Sequence, residues 1–284
     1  MNQQIADDLV HLLRLERLEV NLFRGESRDI GSAQVFGGQV LGQALSAATY
    51  TVDDRRVHSL HAYFLRRGDV AAPIVYEVDR QRDGRSISNR RVVAVQHGRP
   101  IFNMAASFQV PQSGLEHQFP MPDVTPPEDL PSETFESVGM RHLPEKVKRF
   151  LFERRPFEFK WERQLDRSGD QAFRRLWFRP VGRVPAEQPL HDAMLAYVSD
   201  YGLLTTALLP HGQSLFSEDL QMASIDHAMW FHGPFDINQW LLYDLDSPVS
   251  RDTRGLCRGL IYTCDGELVA STAQEGLIRM RTEG

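Results

Sequence analysis

Cysteine is scarce in this chain: only Cys257 and Cys264 occur among 284 residues. The two lie seven residues apart, in what the pattern indicates is one strand and its turn. They cannot build a disulfide framework, and they do not have the spacing of a cysteine metal site. The sequence therefore favours a reducing compartment and predicts no metal site.

Long apolar runs are also missing. No run approaches the roughly 20 residues that a membrane-spanning helix needs. The first residues, Met1 to His11, have no basic patch followed by an apolar core, so we expect no secretory signal peptide. These absences predict a cytoplasmic protein that does not act at a membrane.

Positive charge is in deficit, with 32 Lys and Arg against 38 Asp and Glu and a formal net charge of −6. A broad attraction to nucleic acid or to an anionic membrane is therefore not expected. The apolar content of 42% and charged content of 25% are typical of a soluble globular protein. The length allows one large domain or two of ordinary size.

Several hydrolase signatures are absent as well. No Gly-x-Ser-x-Gly string occurs, which excludes the usual nucleophile elbow of serine hydrolases. His227 and His232 are five residues apart, so on a strand they point to opposite faces and do not form a metal pair. Neither cysteine has an obvious activating partner. Metal and cysteine hydrolases are therefore disfavoured.

What the sequence does contain is an internal repeat. His61-Ala62, followed by aromatic residues, has a counterpart 166 residues later in His227-Ala228. A second pair of segments matches around Gly98 and Gly266, which are 168 residues apart. Two registers that nearly agree indicate a duplicated and fused domain.

The predicted elements repeat in the same order. Each half has strands around one apolar helix, and a segment with six prolines between 111 and 131 separates the halves. Helices are predicted at 5–15, 39–49, near 133–152 and at 189–198. Strands are predicted at 18–23, 57–66, 74–82, 88–96, 100–110, 157–161, 172–178, 219–231, 239–246, 255–263 and 267–279. We predict an N-terminal unit at 1–112, a proline-rich linker and helix at 113–155, and a C-terminal unit at 156–284.

Five separated motifs resemble those of the type II acyl-CoA thioesterases. They are Val35–Val40, His58–Leu65, Arg82–Ser86, Ile225–His232 and Ala270–Gly276. The resemblance implies an α+β double hotdog fold, in which two antiparallel sheets each wrap a central helix. It also implies hydrolysis of fatty acyl-CoA to free acid and CoA without a cofactor, and association into a homo-oligomer, a dimer or tetramer.

The resemblance further implies three catalytic residues. The aspartate at the end of the second buried helix is Asp200, and the glutamine of the last motif is Gln274. The family's hydroxyl residue is usually threonine, and here it is Ser224. Together they are expected to activate a water for direct attack on the thioester.

Three more residues are candidates for the lining of the active site. His58 is the repeat counterpart of Ser224 in the 166-residue register, so it either lines the site or is a hydrogen-bonded core histidine. Gly37 and Gly38 precede the first buried helix, whose N-terminal N–H groups and dipole favour an oxyanion.

Arginines at one predicted strand turn are candidates for binding the CoA phosphates. Bidentate guanidinium groups suit phosphate, although an ordinary solvated hairpin explains the cluster equally well. The cluster consists of Arg82, Arg85, Arg90 and Arg91.

Two alternative functions remain open. A hotdog-fold acyl-CoA hydratase or dehydratase would use a His/Asp or His/Glu pair, and His58 supports that hypothesis. Asp200, Ser224 and Gln274 argue against it. A non-catalytic acyl-CoA-binding protein is the other alternative, and it would bind substrate without turnover.

Overall fold

The computed structural model describes residues 2–30, 34–133, 154–162, 172–214, 217 and 219–280. The helices in these ranges are α1 (Asn2–Leu13), α2 (Gly37–Thr49) and α3 (Gln188–Ser199), with 3-10 helices at Pro127–Asp129 and Leu204–His211. The first six strands are β1 (Glu16–Glu19), β2 (Leu22–Gly25), β3 (Arg56–Phe64), β4 (Ile74–Asp83), β5 (Ile87–Gln96) and β6 (Arg99–Gln109). The others are β7 (Phe157–Trp161), β8 (Phe173–Pro180), β9 (Leu220–Ser224), β10 (Asp226–Phe231), β11 (Leu241–Arg251), β12 (Arg254–Thr263) and β13 (Leu268–Met280). The helix predicted near 133–152 lies almost entirely outside the described residues.

The described strands form one continuous antiparallel sheet, in the order β1-β2-β4-β5-β6-β3-β10-β13-β12-β11-β8-β7. Strand β9 pairs with β13 beside this path. β1 to β6 form one half, β7 to β13 form the other, and the β3–β10 pair joins them. This confirms the predicted double hotdog architecture. The domain boundaries at 112 and 156 stay a prediction, because the halves share one sheet.

The two central helices pack against each other because two glycines remove side chains from their interface. A Cβ at Gly38 would lie 2.2 Å from the carbonyl oxygen of Tyr197, and one at Gly42 would lie 2.8 Å from that of Ala193. The contacts advance along α2 as they recede along α3, so the helices are antiparallel. The N-terminus of α2 therefore meets the C-terminus of α3.

Each helix also packs on its own half of the sheet. Most of α2 is buried, including the polar Gln39 and Gln43. On α3, the Tyr197 ring stacks on Phe157 at 6.2 Å between centroids. The Ser199 carbonyl accepts a hydrogen bond of 3.0 Å from the Tyr243 hydroxyl.

The pairing of β3 with β10 shows that the 166-residue register of the repeat is wrong by one. His61 lies opposite Ala228. His61 is exposed whereas His227 is fully buried. Because side chains alternate faces along a strand, a slip of one residue places every side chain on the opposite face.

Structurally equivalent residues of β3 and β10 are 167 positions apart in the sequence. It pairs the buried Leu60 with the buried His227, and the exposed Tyr63 with the exposed Trp230. It also agrees with the 168-residue register of β6 and β13, because Ala105 is opposite His61 and Ala273 is opposite Ala228. The counterpart of Ser224 is therefore Val57 and not His58.

Two predicted strands are each broken in two. The predicted strand 18–23 is the hairpin of β1 and β2. The predicted strand 219–231 is divided at Ile225 into β9 and β10. Ile225 is an extra residue in the pairing with β13, since Ser224 lies opposite Gly276 while Ala228 lies opposite Ala273.

The described part of the proline-rich linker lies on the second half of the sheet. Gln118 donates a hydrogen bond of 2.7 Å to the Gly266 carbonyl and accepts one of 3.0 Å from the Leu268 N–H. Met121 and Val124 pack on a small cluster of buried side chains. Within the described chain, no helix has the length and apolar character needed to cross a membrane.

Candidate active site

Three side chains meet where α2, α3 and β13 come together. Asp200 directly follows the last residue of α3. The Gln274 Nε2 atom donates a hydrogen bond of 2.7 Å to Asp200 Oδ1 and lies 3.2 Å from the Ser224 Oγ atom. The structure thus places the three residues that the resemblance implies in one hydrogen-bonded cluster.

Asp200 is held by the N-terminus of the opposing helix. Its Oδ2 atom accepts a hydrogen bond of 2.9 Å from the Gly38 N–H. A Cβ at Gly37 would lie 2.8 Å from the same oxygen. A carboxylate is disfavoured at the C-terminus of its own helix, but the N-terminal dipole of α2 favours it. The Gly38 N–H is therefore bonded to Asp200, and the role of this helix N-terminus toward an oxyanion stays a prediction.

Ser224 reaches the cluster because of the extra residue at Ile225. Ser224 lies opposite Gly276, on the same face of the sheet as the buried Gln274. Asp226 lies opposite the exposed Tyr63, and its Oδ1 atom accepts a hydrogen bond from the Glu275 N–H. A regular strand would place Ser224 and Asp226 on one face, whereas this bulge turns them to opposite faces.

A buried histidine that was not among the predicted site residues also contacts the Gln274 amide. The His227 Nδ1 atom lies 3.1 Å from Gln274 Nε2, and its Nε2 atom lies 3.0 Å from the Ser199 Oγ atom. The Ser199 hydroxyl donates its hydrogen to the Ala196 carbonyl, 2.9 Å away. The Oγ atom therefore accepts from the His227 Nε2–H, which leaves Nδ1 to accept from Gln274.

Burial lowers the pKa of His227, although the nearby Asp200 opposes that shift. The neutral ring is the form that this hydrogen-bond chain requires. His227 was visible in the sequence as part of the repeat. The erroneous register matched it to the exposed His61 and so concealed its buried position.

His58 does not lie in the cluster. Its Nε2 atom contacts the Ser107 Oγ atom at 2.8 Å, and Ser107 also accepts from Asn89 at 3.0 Å. Ser107 alternates with the buried Ala106 and Phe108, so it belongs to the outer face of the sheet. The possibility that His58 lines the active site is therefore wrong.

The arginine cluster at the β4–β5 hairpin is divided by burial. Arg90 is 2% exposed, and its guanidinium donates to the Thr51 hydroxyl at 2.8 Å and to Asp83 Oδ1 at 2.6 Å. These internal bonds occupy Arg90, so it does not bind a CoA phosphate. The side chains of Arg82, Arg85 and Arg91 are exposed, and their contact with CoA stays a prediction.

A cavity of about 270 Å³ opens beside the cluster. Ser224 and Gly37 are among the residues that line it, together with several apolar side chains. The apolar residues are Val35, Val40, Phe64, Leu65, Ile101, Phe102 and Ala223. The cavity therefore places the Ser224 hydroxyl and the N-terminus of α2 beside apolar side chains.

Other nucleophiles and metal ligands are poorly placed. Burial raises the pKa of the Cys257 and Cys264 thiols, which disfavours the reactive thiolate. In the ranges that the structure describes, no three His, Cys, Asp or Glu side chains gather as a metal ion would require.

The free energy of unfolding is expected to fall as the pH drops below 6.5, the ordinary histidine pKa. Burial lowers the pKa of His227, so below 6.5 the unfolded chain gains a proton before the folded chain does. Above 6.5 both states are neutral and this contribution is constant. Each unit of lowering corresponds to about 1.4 kcal/mol.

Urea unfolding at several pH values between 5 and 8 measures this effect. His227→Asn should show a flatter dependence below pH 6.5 than the wild type. An equal or steeper dependence in His227→Asn would contradict the assignment of a neutral buried ring.

Comparison with known proteins places this geometry in a family. The family model described as "Acyl-CoA thioesterase" matches residues 147–277, and the one described as "Acyl-CoA thioesterase N-terminal domain" matches residues 24–109. Acyl-CoA thioesterase 2 of Haemophilus influenzae is 43% identical, over 97% of this chain and 98% of that protein.

Solved structures agree with this result. The crystal structure of an acyl-CoA thioesterase II, TesB2, from Mycobacterium marinum is 42% identical with a TM-score of 0.81, and the match covers 96% of this chain and 98% of that one. A hot dog fold protein from Alicyclobacillus acidocaldarius has a TM-score of 0.79 at 20% identity, over 97% and 99% of the two chains, and supports the fold alone. The chain therefore belongs to the acyl-CoA thioesterase family.

Proposed function

We propose that this protein hydrolyses fatty acyl-CoA to free fatty acid and CoA. The single observation that supports this best is the cluster of Asp200, Gln274 and Ser224 beside a cavity lined by both apolar and cationic side chains. The cluster supplies a base, an amide and a hydroxyl, which together are enough to position and deprotonate a water.

The reaction needs little more than a well-placed water. A thioester is a reactive acyl donor, and its thiolate leaves readily because thiols have a pKa of about 8.5. In the proposed step, Asp200 takes a proton from water while the water oxygen attacks the carbonyl carbon of the thioester. The tetrahedral intermediate then collapses, the C–S bond breaks, and the proton returns from Asp200 to the departing sulfur.

The developing oxyanion is stabilised at the N-terminus of α2. Gly37 lines the cavity there. The first N–H groups of a helix lack intrahelical partners, and the helix dipole attracts negative charge. With Gly38 bonded to Asp200, Gly37 is the glycine left for this role.

Gln274 and its neighbours position the base. The amide donates to Asp200 Oδ1, so the carboxylate is held with its remaining lone pairs free for water. Ser224 lies at the edge of the cavity, where its hydroxyl orients the water. His227 and Ser199 are positioning residues, because they fix which end of the Gln274 amide faces Asp200.

Release of free thiol from a series of acyl-CoA substrates, short to long, tests the proposal. We expect turnover on at least part of the series. An absence of thiol release across all chain lengths would contradict the proposal, and binding without turnover would favour the non-catalytic alternative.

The hydratase alternative depended on His58, which lies on the outer face of the sheet. A dimer or tetramer remains a prediction, which size-exclusion chromatography with light scattering would measure.

Ser224→Ala is expected to lower kcat by about 10- to 100-fold, since it removes one hydrogen-bonding group from the water site. Ser224→Thr keeps the hydroxyl and restores the family's usual residue, so it should stay within a few-fold of the wild type. Steady-state kinetics on one acyl-CoA measures both variants. Equal losses in Ala and Thr would indicate a steric role and contradict the hydroxyl's role.

A further inference from the structure

We propose that Arg66 and Arg67 bind the phosphate end of CoA at the mouth of the active-site cavity. This inference rests on the proposed hydrolysis of acyl-CoA, and it names the site that anchors the substrate. Both arginines line the same cavity as Ser224 and Gly37. The same cavity is therefore lined by Ser224 of the cluster and by two cationic side chains.

The charges of these two arginines are not neutralised within the described chain. The Arg66 Nη1 atom donates to the Pro100 carbonyl at 2.6 Å, which holds the side chain while leaving its charge uncompensated. Both side chains are exposed. The nearby Asp69 carboxylate instead contacts His97 at 2.9 Å and accepts from the Ala71 N–H at 2.8 Å.

The two positive charges of Arg66 and Arg67 are opposite in sign to the protein's formal net charge of −6. A polyanionic substrate is repelled by the molecule as a whole, so a basic site must attract it locally. Guanidinium groups bind phosphate with charge-assisted, often bidentate hydrogen bonds.

Backbone hydrogen bonds show how the arginines lie relative to Ser224. The Phe64 N–H donates to the carbonyl of Ile225, the neighbour of Ser224, at 2.9 Å, and the Arg66 N–H donates to the Ile101 carbonyl at 3.1 Å. Acyl-CoA has phosphates at one end and a thioester at the other, and an extended pantetheine arm connects them. Phe64, Ile101 and Phe102 line the same cavity, and Phe64 separates Ile225 from the two arginines along the chain. The arm lies along this wall and brings the thioester to Asp200.

Kinetics on matched thioesters test the proposal. Arg67→Ala should raise KM for acyl-CoA about tenfold with kcat nearly unchanged, which corresponds to about 1.4 kcal/mol. KM for the same acyl group on pantetheine, which has no phosphate, should not change. Arg67→Lys should recover part of the loss. An acyl-dephospho-CoA substrate shows whether the 3′-phosphate or the diphosphate is bound.

Arg85→Ala, on the β4–β5 hairpin, is the rival variant. A rise in KM for Arg85→Ala and none for Arg67→Ala would overturn the proposal. An equal loss on acyl-CoA and acyl-pantetheine would also overturn it, because the effect would not depend on phosphate. If the wild type hydrolyses neither thioester, the proposed function fails instead, and that result is distinct from both.

Discussion

Asp200→Asn is expected to lower kcat by about 10²- to 10⁴-fold, the usual contribution of a general base. The amide cannot take the proton from water, yet it has nearly the same size as the carboxylate. Its oxygen can still accept a hydrogen bond from the Gly38 N–H, as Asp200 does at 2.9 Å. We therefore expect KM to change little and the variant to fold, with thiol release as the measurement and urea unfolding as the check.

Asp226→Asn is the matched control for this experiment. Asp226 lies two residues beyond Ser224 but on the outer face of the sheet, where it accepts from the Glu275 N–H at 2.6 Å. An asparagine oxygen can accept the same bond, so kcat should stay within about twofold of the wild type. If Asp200→Asn kept more than a tenth of wild-type activity, or if Asp226→Asn lost as much, Asp200 would not be the base.

Gly38→Ala is expected to produce the largest loss of stability among the variants considered, at least 1–3 kcal/mol and about the cost of overpacking a core. The added Cβ would lie 2.2 Å from the Tyr197 carbonyl oxygen and 2.5 Å from the Phe36 ring. Backbone cannot move aside cheaply, so α2 and α3 must separate. That separation also displaces the Gly38 N–H from Asp200, and kcat should fall together with stability.

Two other glycines give a graded series for this test. Gly42→Ala should lower the free energy of unfolding by less than Gly38→Ala does. Its Cβ would lie 2.8 Å from the Ala193 carbonyl oxygen, whereas the Cβ at Gly38 would lie 2.2 Å from that of Tyr197. Gly233 has open space around its Cβ position, so Gly233→Ala should be neutral or slightly stabilising. Urea unfolding measures the three variants. If Gly38→Ala lowered the free energy of unfolding no more than Gly233→Ala, the packing of α2 on α3 would not require a glycine at position 38.

Much of the fold could be predicted because its signals are local. The small apolar residues of 39–49 indicated an apolar helix surrounded by strands, and α2 is a buried helix over Gly37–Thr49. The repeat around His61 and His227 indicated duplication, and these segments pair with each other where the two halves join. The five motifs, among them Ala270–Gly276, indicated the family, and that resemblance implied Asp200, Ser224 and Gln274 as its catalytic residues.

The sequence by itself determined the fold class, the family and the identity of the three clustered side chains. Only the tertiary structure decided which way several of them face. The extra residue at Ile225 turns Ser224 toward Gln274, and His227 lies on the buried face of β10, where it contacts that amide. Faces alternate at every residue of a strand, so a single unpaired residue reverses all that follow. A bulge is defined by the neighbouring strand, and no local pattern in β9 or β10 records it.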